Sequence, residues 1–320
     1  MKLETYLTEA DLERELRRDV LRGLASMPKT LPPRWFYDAT GSELFELITK
    51  LPEYYPTRAE REILATHARD IARMTAAQTL VELGSGSSDK TRLLLDELTR
   101  HRSLSRFVPL DVSESMLELA AEAIDADYPD LEVHAIVGDF LIHLDRIPGA
   151  SGRLVAFLGG TIGNLMPAER LTFLGRLRAT LNRGEWLLLG TDLTKHVPTL
   201  IAAYDDSEGV TAEFNRNILA VLNRRLGADF DLDAFSHVAV WNAAEEWIEM
   251  RLRANDDLSA AIPALGIRVA FAAGEEMLTE VSAKFRPERV ATELAACGFA
   301  SRAWWTDKGA RFGVTLAQAI

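Results

Sequence analysis

The stretch from Gln78 to Ser88, Gln-Thr-Leu-Val-Glu-Leu-Gly-Ser-Gly-Ser-Ser, constrains the fold more than any other part of this sequence. Its first half is rich in apolar residues and predicts a buried β-strand. Gly84 and Gly86 permit backbone angles and a close ligand approach that a Cβ atom would forbid. Ser87 or Ser88 can cap the helix that follows. A strand, a glycine turn and a helix N-terminus are typical of a nucleotide-binding corner, so we expect the chain to be organised around it.

From residue 59 to about residue 200, predicted strands alternate with predicted helices. This alternation is typical of a parallel, doubly wound α/β sheet of the Rossmann-like kind. A polar cluster follows almost every strand, and ligands in such sheets bind beyond the carboxyl ends of the strands. We therefore expect a ligand site at that edge. The five predicted strands are 78–83, 106–110, 131–137, 153–158 and 185–189.

The alternation stops after about residue 200, where strand-like runs follow one another without helices between them. Consecutive strands suggest an antiparallel sheet, and hence a second α+β lobe that we expect to recognise the substrate. The runs are 236–241, 246–253, 266–271 and 275–285.

The two ends of the chain are assigned differently. Residues 1–58 do not begin with the strand that an α/β domain would need, so we place them with 201–285 in the second lobe. After Pro287, a helix and two strands predict a hairpin that closes the main sheet. The predicted sheet domain therefore consists of 59–200 and 286–320.

Composition excludes several classes of function. The net charge of −12 argues against nucleic acid as a partner, because phosphate binding needs clustered Lys and Arg. The single cysteine, Cys297, forms no internal disulfide, which fits a reducing cytoplasm. No apolar run approaches a membrane span, and the first residues are charged. We expect a cytoplasmic monomer without a membrane partner. We also expect no metal site, because the six histidines lack paired ligand spacing.

The glycine corner does not fit a dinucleotide or a phosphate loop. The dinucleotide fingerprint G-x-G-x-x-G needs a third glycine where Asp89 stands, and no G-x-x-x-x-G-K-[ST] motif is present. The alternative is a cofactor with a ribose and an adenine but no phosphates. S-adenosylmethionine is such a molecule.

Polar groups at the strand ends match this cofactor. Asp111 ends the second strand and is placed to accept hydrogen bonds from both ribose hydroxyls. Asp139 can accept from the adenine amino group, and Phe140 can offer its backbone N–H. Glu82 and Lys90 would flank the methionine end, with Lys90 paired to its carboxylate. The predicted cofactor site consists of Glu82, Gly84, Ser85, Gly86, Lys90, Asp111, Asp139 and Phe140.

Longer segments resemble the histidine-specific, S-adenosylmethionine-dependent methyltransferase family of ergothioneine biosynthesis. "LPEYYPTR" at 51–58, "GGTIGNL" at 159–165 and "FAAGEEMLTEVS" at 271–282 are specific to this group. The resemblance implies three successive methylations of the α-amino nitrogen of L-histidine, giving the betaine hercynine. It is loosest over the first dozen residues and over 255–263, which we expect at the surface. The matching segments are 31–38, 51–58, 81–92, 138–140, 157–164, 204–206, 214–217 and 272–286.

The same resemblance implies which residues hold the amino-acid end of histidine and of its mono- and dimethylated forms. Asn164 and Tyr204 would bind the carboxylate. Tyr54 would line the α-amino end, with Tyr37 near it through water, and these two tyrosines are the catalytic candidates. The backbone at Gly159 would help to orient the nitrogen, and either a tyrosine or water accepts each proton.

For the imidazole ring, the resemblance implies Glu280 and Ser282 as the residues that read its nitrogens, with Met250 against the ring. Side chains alternate along a strand, so Glu280 and Ser282 should point to one face and Val281 to the other. A carboxylate accepts from one ring N–H while a hydroxyl pairs with the other nitrogen. Such a pair distinguishes imidazole from phenyl or indole.

Two alternatives stay open from the sequence. One is a methyltransferase of the same fold that acts on another aromatic amine, such as a tryptophan derivative, although Glu280 and Ser282 argue against it. The other is a catalytically silent module that senses S-adenosylmethionine or an amino acid. The presence of both half-sites argues against a silent module.

Overall fold

Fourteen strands and nine α-helices follow one another along the chain, which the computed structural model describes from residue 1 to residue 320. In order they are β1 (Lys2–Thr5), α1 (Glu9–Leu24), β2 (Lys29–Thr30), α2 (Ala39–Ile48), α3 (Pro56–Thr75), β3 (Thr79–Leu83), α4 (Arg92–Arg100), β4 (Arg106–Asp111), α5 (Glu114–Asp127), β5 (Glu132–Val137), β6 (Arg153–Phe157), α6 (Pro167–Thr180), β7 (Trp186–Asp192), α7 (Val197–Ala202), α8 (Val210–Leu226), β8 (Phe235–Asn242), β9 (Trp247–Ala254), β10 (Leu258–Ile262), β11 (Ile267–Phe271), β12 (Glu276–Ala283), α9 (Pro287–Ala296), β13 (Phe299–Thr306) and β14 (Phe312–Ala319).

These elements separate into two units. The first unit comprises Met1–Leu7, Pro56–Thr194 and Lys284–Ile320, and the second comprises Thr8–Tyr55 and Lys195–Ala283. Each unit has its own apolar core.

The first unit is built on an eight-stranded sheet in the order β1-β5-β4-β3-β6-β7-β14-β13. The six strands from β1 to β7 in this order pair in parallel. The last two pair antiparallel and form the closing hairpin. The central strands β3 and β6 are buried along their whole length, as expected for a sheet covered by helices on both faces. The predicted doubly wound, mostly parallel Rossmann-like sheet is confirmed.

The N-terminal seven residues correct the sequence-based assignment. They contain a strand, β1, which pairs in parallel with β5 from Lys2 opposite His134 to Thr5 opposite Val137. Met1–Leu7 therefore belongs to the first unit and not to the lobe of 1–58. A four-residue strand is too short to show periodicity, and Lys2 pairs with His134, 132 residues further along the chain, so the local sequence gives no sign of this strand.

Two element boundaries also differ from the prediction. Helix α4 begins at Arg92, with Thr91 at the N-cap position and no side-chain cap, so neither Ser87 nor Ser88 caps it. Strand β7 extends to Asp192, beyond the expected end at residue 189, because the antiparallel partner β14 continues the ladder.

The second unit contains a four-stranded sheet in the order β2-β12-β9-β8 and a separate hairpin of β10 and β11. The antiparallel pairing predicted for the long strands is confirmed. Strand β10 lies within 255–263, where we expected surface, yet Ala260 and Ile262 are buried in the core of the unit. Helix α8 contributes Phe214 and Ile218 to the same core.

Candidate active site

The glycine turn after β3 has the open geometry that a ligand needs. Gly84 and Gly86 have φ angles of +67° and +49°, in the left-handed region that favours glycine. The N–H of Gly84 donates to the carbonyl of Leu110 at 2.8 Å, which fixes the turn to the end of β4. A Cβ atom at Gly86 would meet no heavy atom within 4 Å. The turn therefore leaves space beside its backbone.

Asp111 lies at the end of β4 and faces this turn. Its Oδ2 accepts from the Gly86 N–H at 2.9 Å, and its Oδ1 accepts from the Ser113 N–H at 3.0 Å. Burial raises the pKa of Asp111 above its ordinary value of 3.8, while backbone N–H donors oppose that rise. Each carboxylate oxygen has used one of its two lone pairs, so two adjacent acceptor positions remain. This arrangement suits a pair of neighbouring hydroxyls.

Glu82 holds the turn to the residues that precede α4. Its Oε2 accepts from the Ser88 hydroxyl at 2.9 Å, and its Oε1 accepts from the Thr91 hydroxyl. Burial raises the pKa of Glu82 to about 7, and the two hydroxyl donors act against that rise. The structure thus gives Glu82 a role in shaping the turn. Its contact with the methionine end of a cofactor stays a prediction.

Lys90 has a partner that the sequence did not predict. Its ammonium pairs with Glu60 on α3, and Glu60 is fully buried. The Gly159 N–H donates to both carboxylate oxygens of Glu60 at 2.9 Å. One buried carboxylate therefore joins the loop after β3 to the loop after β6. At Gly190 on β7, a Cβ atom would lie 2.2 Å from Oε1 of Glu60, so the neighbouring strand makes room for it.

The sequence contained a signal for Glu60. On α3 it occupies the face of Ala59, Ile63 and Leu64, all of which are buried in the core of the first unit. A carboxylate at a helix position that faces the core requires a partner, because burial of an unpaired charge is costly. Sequence reasoning therefore missed Glu60 although its position in the helical pattern marks it.

Asp139 and Phe140 lie at the end of β5, next to Asp111. The Gly138 N–H donates to the Asp111 carbonyl at 2.8 Å, which draws the two strand ends together. Asp139 Oδ1 accepts from the Leu141 N–H at 2.7 Å. The ring of Phe140 lies 5.0 Å from that of Phe157, so the loop is anchored to the sheet by aromatic packing.

Three features of this corner fit a cofactor with a ribose. Asp111 retains two acceptor positions, and Gly86 leaves space beside the turn. The hydroxyl of Ser85 is buried and makes no hydrogen bond within the protein. A buried hydroxyl without a partner costs free energy, so a polar ligand group at this point would satisfy it. The eight predicted cofactor residues lie on β3, on the loop that follows it, and at the ends of β4 and β5.

The loop after β6 carries Gly159, Gly160 and Asn164. The two glycines have φ angles of +78° and +72°, and a single 3-10 turn spans Thr161–Asn164. The side chain of Asn164 is half-buried. These predicted substrate residues therefore follow a parallel strand at its carboxyl end, where ligands bind in such sheets.

In the second unit, Tyr204 and Ser282 are joined directly. The Tyr204 hydroxyl and Ser282 Oγ lie 2.7 Å apart, and both residues are buried. Tyr54 is buried, whereas Tyr37 is 36% exposed. The ring of Phe45 lies between them, 5.6 Å from Tyr37 and 6.1 Å from Tyr54. The two aromatic loops of the sequence thus form one cluster.

Strand β12 presents Glu280 and Ser282 on one face. Glu280 pairs with Met250 of β9, and Ser282 pairs with Ile248. Val281 pairs with Glu249 and so lies on the opposite face. The predicted alternation is confirmed, and the face of Glu280 and Ser282 is the one on which Met250 and Ile248 enter the core.

A buried polar network that the sequence did not predict lies beside these residues. Asn215, on α8, bonds to His237 Nδ1 at 2.8 Å and to the Arg251 carbonyl at 3.0 Å through its amide nitrogen. Thr279 donates to Asn215 Oδ1 at 2.6 Å. His237 Nε2 lies 2.7 Å from the Tyr204 carbonyl. The available signal was the helical position of Asn215, which shares the buried face of α8 with Thr211, Leu219 and Leu222.

None of the helices is both long and apolar enough to cross a bilayer.

Comparison with known proteins identifies the family of this chain. The family described as histidine-specific, S-adenosylmethionine-dependent methyltransferase matches residues 16–319. A histidine N-alpha-methyltransferase of Mycolicibacterium smegmatis is 56% identical over 99% of this chain and 99% of its own length. One of Mycobacterium tuberculosis is 57% identical over 94% of each chain. Ergothioneine biosynthesis protein 1 of Schizosaccharomyces pombe is 30% identical over 75% of this chain and 31% of its own length. This chain therefore belongs to the histidine-specific, S-adenosylmethionine-dependent methyltransferase family.

Proposed function

We propose that this enzyme transfers three methyl groups in succession from S-adenosylmethionine to the α-amino nitrogen of L-histidine, giving hercynine for ergothioneine biosynthesis. Family membership and the names of the mycobacterial and fungal relatives support this reaction. The structural observation that carries the proposal is the pair of Glu280 and Ser282 on one face of β12, with Ser282 bonded to Tyr204.

The cofactor side of the proposal rests on the glycine corner. S-adenosylmethionine supplies an electrophilic methyl group on a sulfonium. Asp111 accepts hydrogen bonds from the ribose diol through its two remaining acceptor positions. Asp139 and the Phe140 backbone bind the adenine, and the Ser85 hydroxyl gains a partner. Lys90, held in place by Glu60, pairs with the carboxylate of the methionine part.

At the acceptor side, the protein has to present a neutral amine, because an ammonium has no lone pair. Tyr54, with Tyr37 through water, orients the nitrogen by hydrogen bonds without acting as a strong base. Alignment within about 3–3.5 Å of the methyl carbon lowers the entropic cost of the transfer. Asn164 and Tyr204 bind the carboxylate, and the glycines at 159 and 160 leave room for the methyl groups that accumulate.

Specificity for the ring comes from hydrogen-bonding groups that an imidazole matches and an apolar ring does not. Glu280 accepts from one imidazole N–H, Ser282 pairs with the other nitrogen, and Met250 lies against the ring face. A site built to hydrogen-bond a polar ring rejects an apolar analogue by ~10⁴-fold or more. Phenylalanine and tryptophan should therefore be poor substrates.

The test is incubation with histidine and methyl-labelled S-adenosylmethionine, followed by mass spectrometry. We expect products that are one, two and three methyl groups heavier, with the trimethylated form at the end. Nα-acetylhistidine is the control for the position of transfer, because its imidazole is intact and its α-nitrogen is blocked. Methylation of this control, or no product from histidine, would contradict the proposal. Tryptophan in parallel tests the alternative acceptor.

We also infer that the enzyme works as a cytoplasmic monomer. The single cysteine, Cys297, leaves no internal disulfide to form, which suits a reducing compartment. Light scattering coupled to size exclusion should give a mass near the 35.5 kDa of one chain. A mass of twice that value at micromolar concentration would overturn the inference.

A further inference from the structure

Strand β12 is irregular next to Glu280 and Ser282, the two residues proposed to bind the imidazole. Its pairing with β9 shifts between Leu278, opposite Arg251, and Glu280, opposite Met250. From Leu278 to Glu280, β12 advances by two residues while β9 advances by only one. Thr279 is therefore the extra residue of a β-bulge.

The bulge decides which face of the sheet Glu280 occupies. Before it, Met277 pairs with Leu252, and both are fully buried in the core of the second unit. In a regular strand, a residue three positions after Met277 would lie on the opposite face, because side chains alternate. Instead Glu280 pairs with Met250, on the same face as Leu252. The extra residue thus turns Glu280 and Ser282 to the core side.

Thr279 is held at this position by two acceptors. Its side chain is 1% exposed, and its hydroxyl lies 2.6 Å from Asn215 Oδ1 and 2.9 Å from the Met250 carbonyl. The Met250 carbonyl belongs to the strand that the bulge opposes, and Asn215 belongs to α8. A hydroxyl has one hydrogen, so Thr279 donates to one of these two acceptors at a time. Either bond fixes the bulge, to its partner strand through Met250 or to the helix packed on the sheet through Asn215.

Asn215 is in turn fixed by the groups around it. Its amide nitrogen has two hydrogens, which match the Arg251 carbonyl and His237 Nδ1. His237 Nε2 then donates to the Tyr204 carbonyl. Since every polar group of Asn215 is paired, the side chain has one favourable orientation and presents Oδ1 to Thr279.

We propose that Thr279 and Asn215 are positioning residues for substrate specificity, which hold a one-residue bulge so that Glu280 and Ser282 face the imidazole. This inference rests on the proposed histidine methyltransferase function. Neither residue needs to touch the substrate. Without the hydroxyl, β12 shifts by one residue against β9 and the bulge is lost. This shift turns Glu280 and Ser282 to the other face of the sheet.

The test compares Thr279→Val, which removes the hydroxyl at constant shape, with Thr279→Ser, which retains it. Thr315→Val is the matched control, because Thr315 is a buried strand residue whose hydroxyl has no partner. For T279V we expect the KM for histidine to rise by about 10-fold or more, since a buried hydrogen bond is lost and two contacts are misplaced. The Kd for S-adenosylhomocysteine should stay within about twofold of wild type, and T279S should restore the KM for histidine.

A crystal structure of T279V separates this inference from the proposed function. We expect Glu280 to leave its position opposite Met250. If the bulge and the KM for histidine are both unchanged, the inference is wrong. If wild-type enzyme does not methylate histidine, the proposed function fails, and the register in T279V still decides whether Thr279 positions Glu280. Thr279→Cys, a weaker donor of similar size, replaces T279V if that variant does not fold.

Discussion

Glu60 and Glu82 are two of the carboxylates buried around the cofactor loops, and each has a different kind of partner. Glu60 meets the ammonium of Lys90 and the N–H of Gly159. Glu82 meets only hydroxyls, so burial raises the pKa of Glu82 to about 7. A buried carboxylate is tolerated where its oxygens accept hydrogen bonds. The donors to Glu60 and Glu82 lie in loops that carry predicted ligand-binding residues, so these bonds also fix the loops.

Glu60→Gln should destabilise the fold and weaken cofactor binding. The change keeps the shape but leaves the Lys90 ammonium without its counter-charge. We expect a loss of about 2 kcal/mol in the free energy of unfolding, reduced from the range for fully buried pairs because Lys90 is partly exposed. Urea denaturation measures it. Glu97→Gln, which breaks the exposed pair with Arg100, is the control and should cost almost nothing. Equal effects of the two changes would contradict the role of Glu60.

Asp111→Ala should act mainly on the cofactor. Removing the carboxylate eliminates two charge-assisted hydrogen bonds to the ribose. Because of this loss, we expect the Kd for S-adenosylhomocysteine to rise by about 100-fold. Calorimetric titration measures this value. Glu114→Ala, at an exposed position on the helix that follows, is the control. An unchanged Kd in the Asp111 variant would remove the ribose role.

Glu280→Ala should act on the acceptor instead. A carboxylate that accepts from an imidazole N–H is lost, so we expect the KM for histidine to rise by about 100-fold. The Kd for S-adenosylhomocysteine should change by less than about twofold. The two constants are measured on the same preparation, by steady-state kinetics and by calorimetry. If both constants rise in parallel, the imidazole assignment is wrong.

At the scale of the elements, the hydrogen bonds that join α8 to the sheet of the second unit include His237 in its neutral form. His237 Nε2 must carry a proton to donate to the Tyr204 carbonyl, so Nδ1 accepts from Asn215. Burial lowers the pKa of His237 below its ordinary value of 6.5. A second proton would place an N–H against the amide of Asn215. The network therefore exists in the neutral form.

This histidine predicts a loss of stability in acid. Because the pKa of His237 is lowered in the folded state, the unfolded chain binds more protons below pH 6.5. The stabilisation is fully present above pH 6.5 and is lost as pH falls towards the lowered value. We expect His237→Gln to flatten the fall of the melting temperature in a series from about pH 7.5 to about pH 5, because the linkage operates in the part of this range below the unfolded pKa. His101→Gln, at an exposed position, should leave the slope unchanged. An identical slope in the His237 variant would refute the prediction.

The N-terminal strand matters at the scale of the whole molecule. Strand β1 covers the edge of β5, and the Tyr6 N–H continues the ladder to the Val137 carbonyl at 2.9 Å. Leu7 is buried. An uncovered edge strand exposes unpaired backbone groups and favours association between chains.

Removal of residues 1–7 should therefore lower stability and solubility together. We expect a loss of about 2 kcal/mol in the free energy of unfolding, within the range of substantial single changes. Thermal unfolding and light scattering measure the two effects. Lys2→Ala, which keeps the strand, is the control. A truncated chain that melts and scatters like wild type would show that β1 is dispensable.

Much of the first unit was predictable because its signals are local. Strands β3 to β7 are short apolar runs separated by helical patterns, and the polar groups at their ends share one edge of a parallel sheet. The same reasoning placed Asp111 beside the glycine turn, where the structure finds it. Helix α4 was placed too early, because Ser88 is a good cap in isolation but its hydroxyl donates to Glu82.

The sequence by itself determined the mostly parallel sheet, the glycine corner and the shared face of Glu280 and Ser282. Periods of 2 and 3.6 residues and the polar residues at strand ends are local features that neighbouring residues show. Only the tertiary structure decided the pairing of β1, the Glu60 bridge to Lys90 and Gly159, and the bulge at Thr279. Each of these depends on partners that are distant along the chain. A one-residue bulge leaves the local apolar pattern nearly unchanged, yet it selects the face on which Glu280 and Ser282 lie.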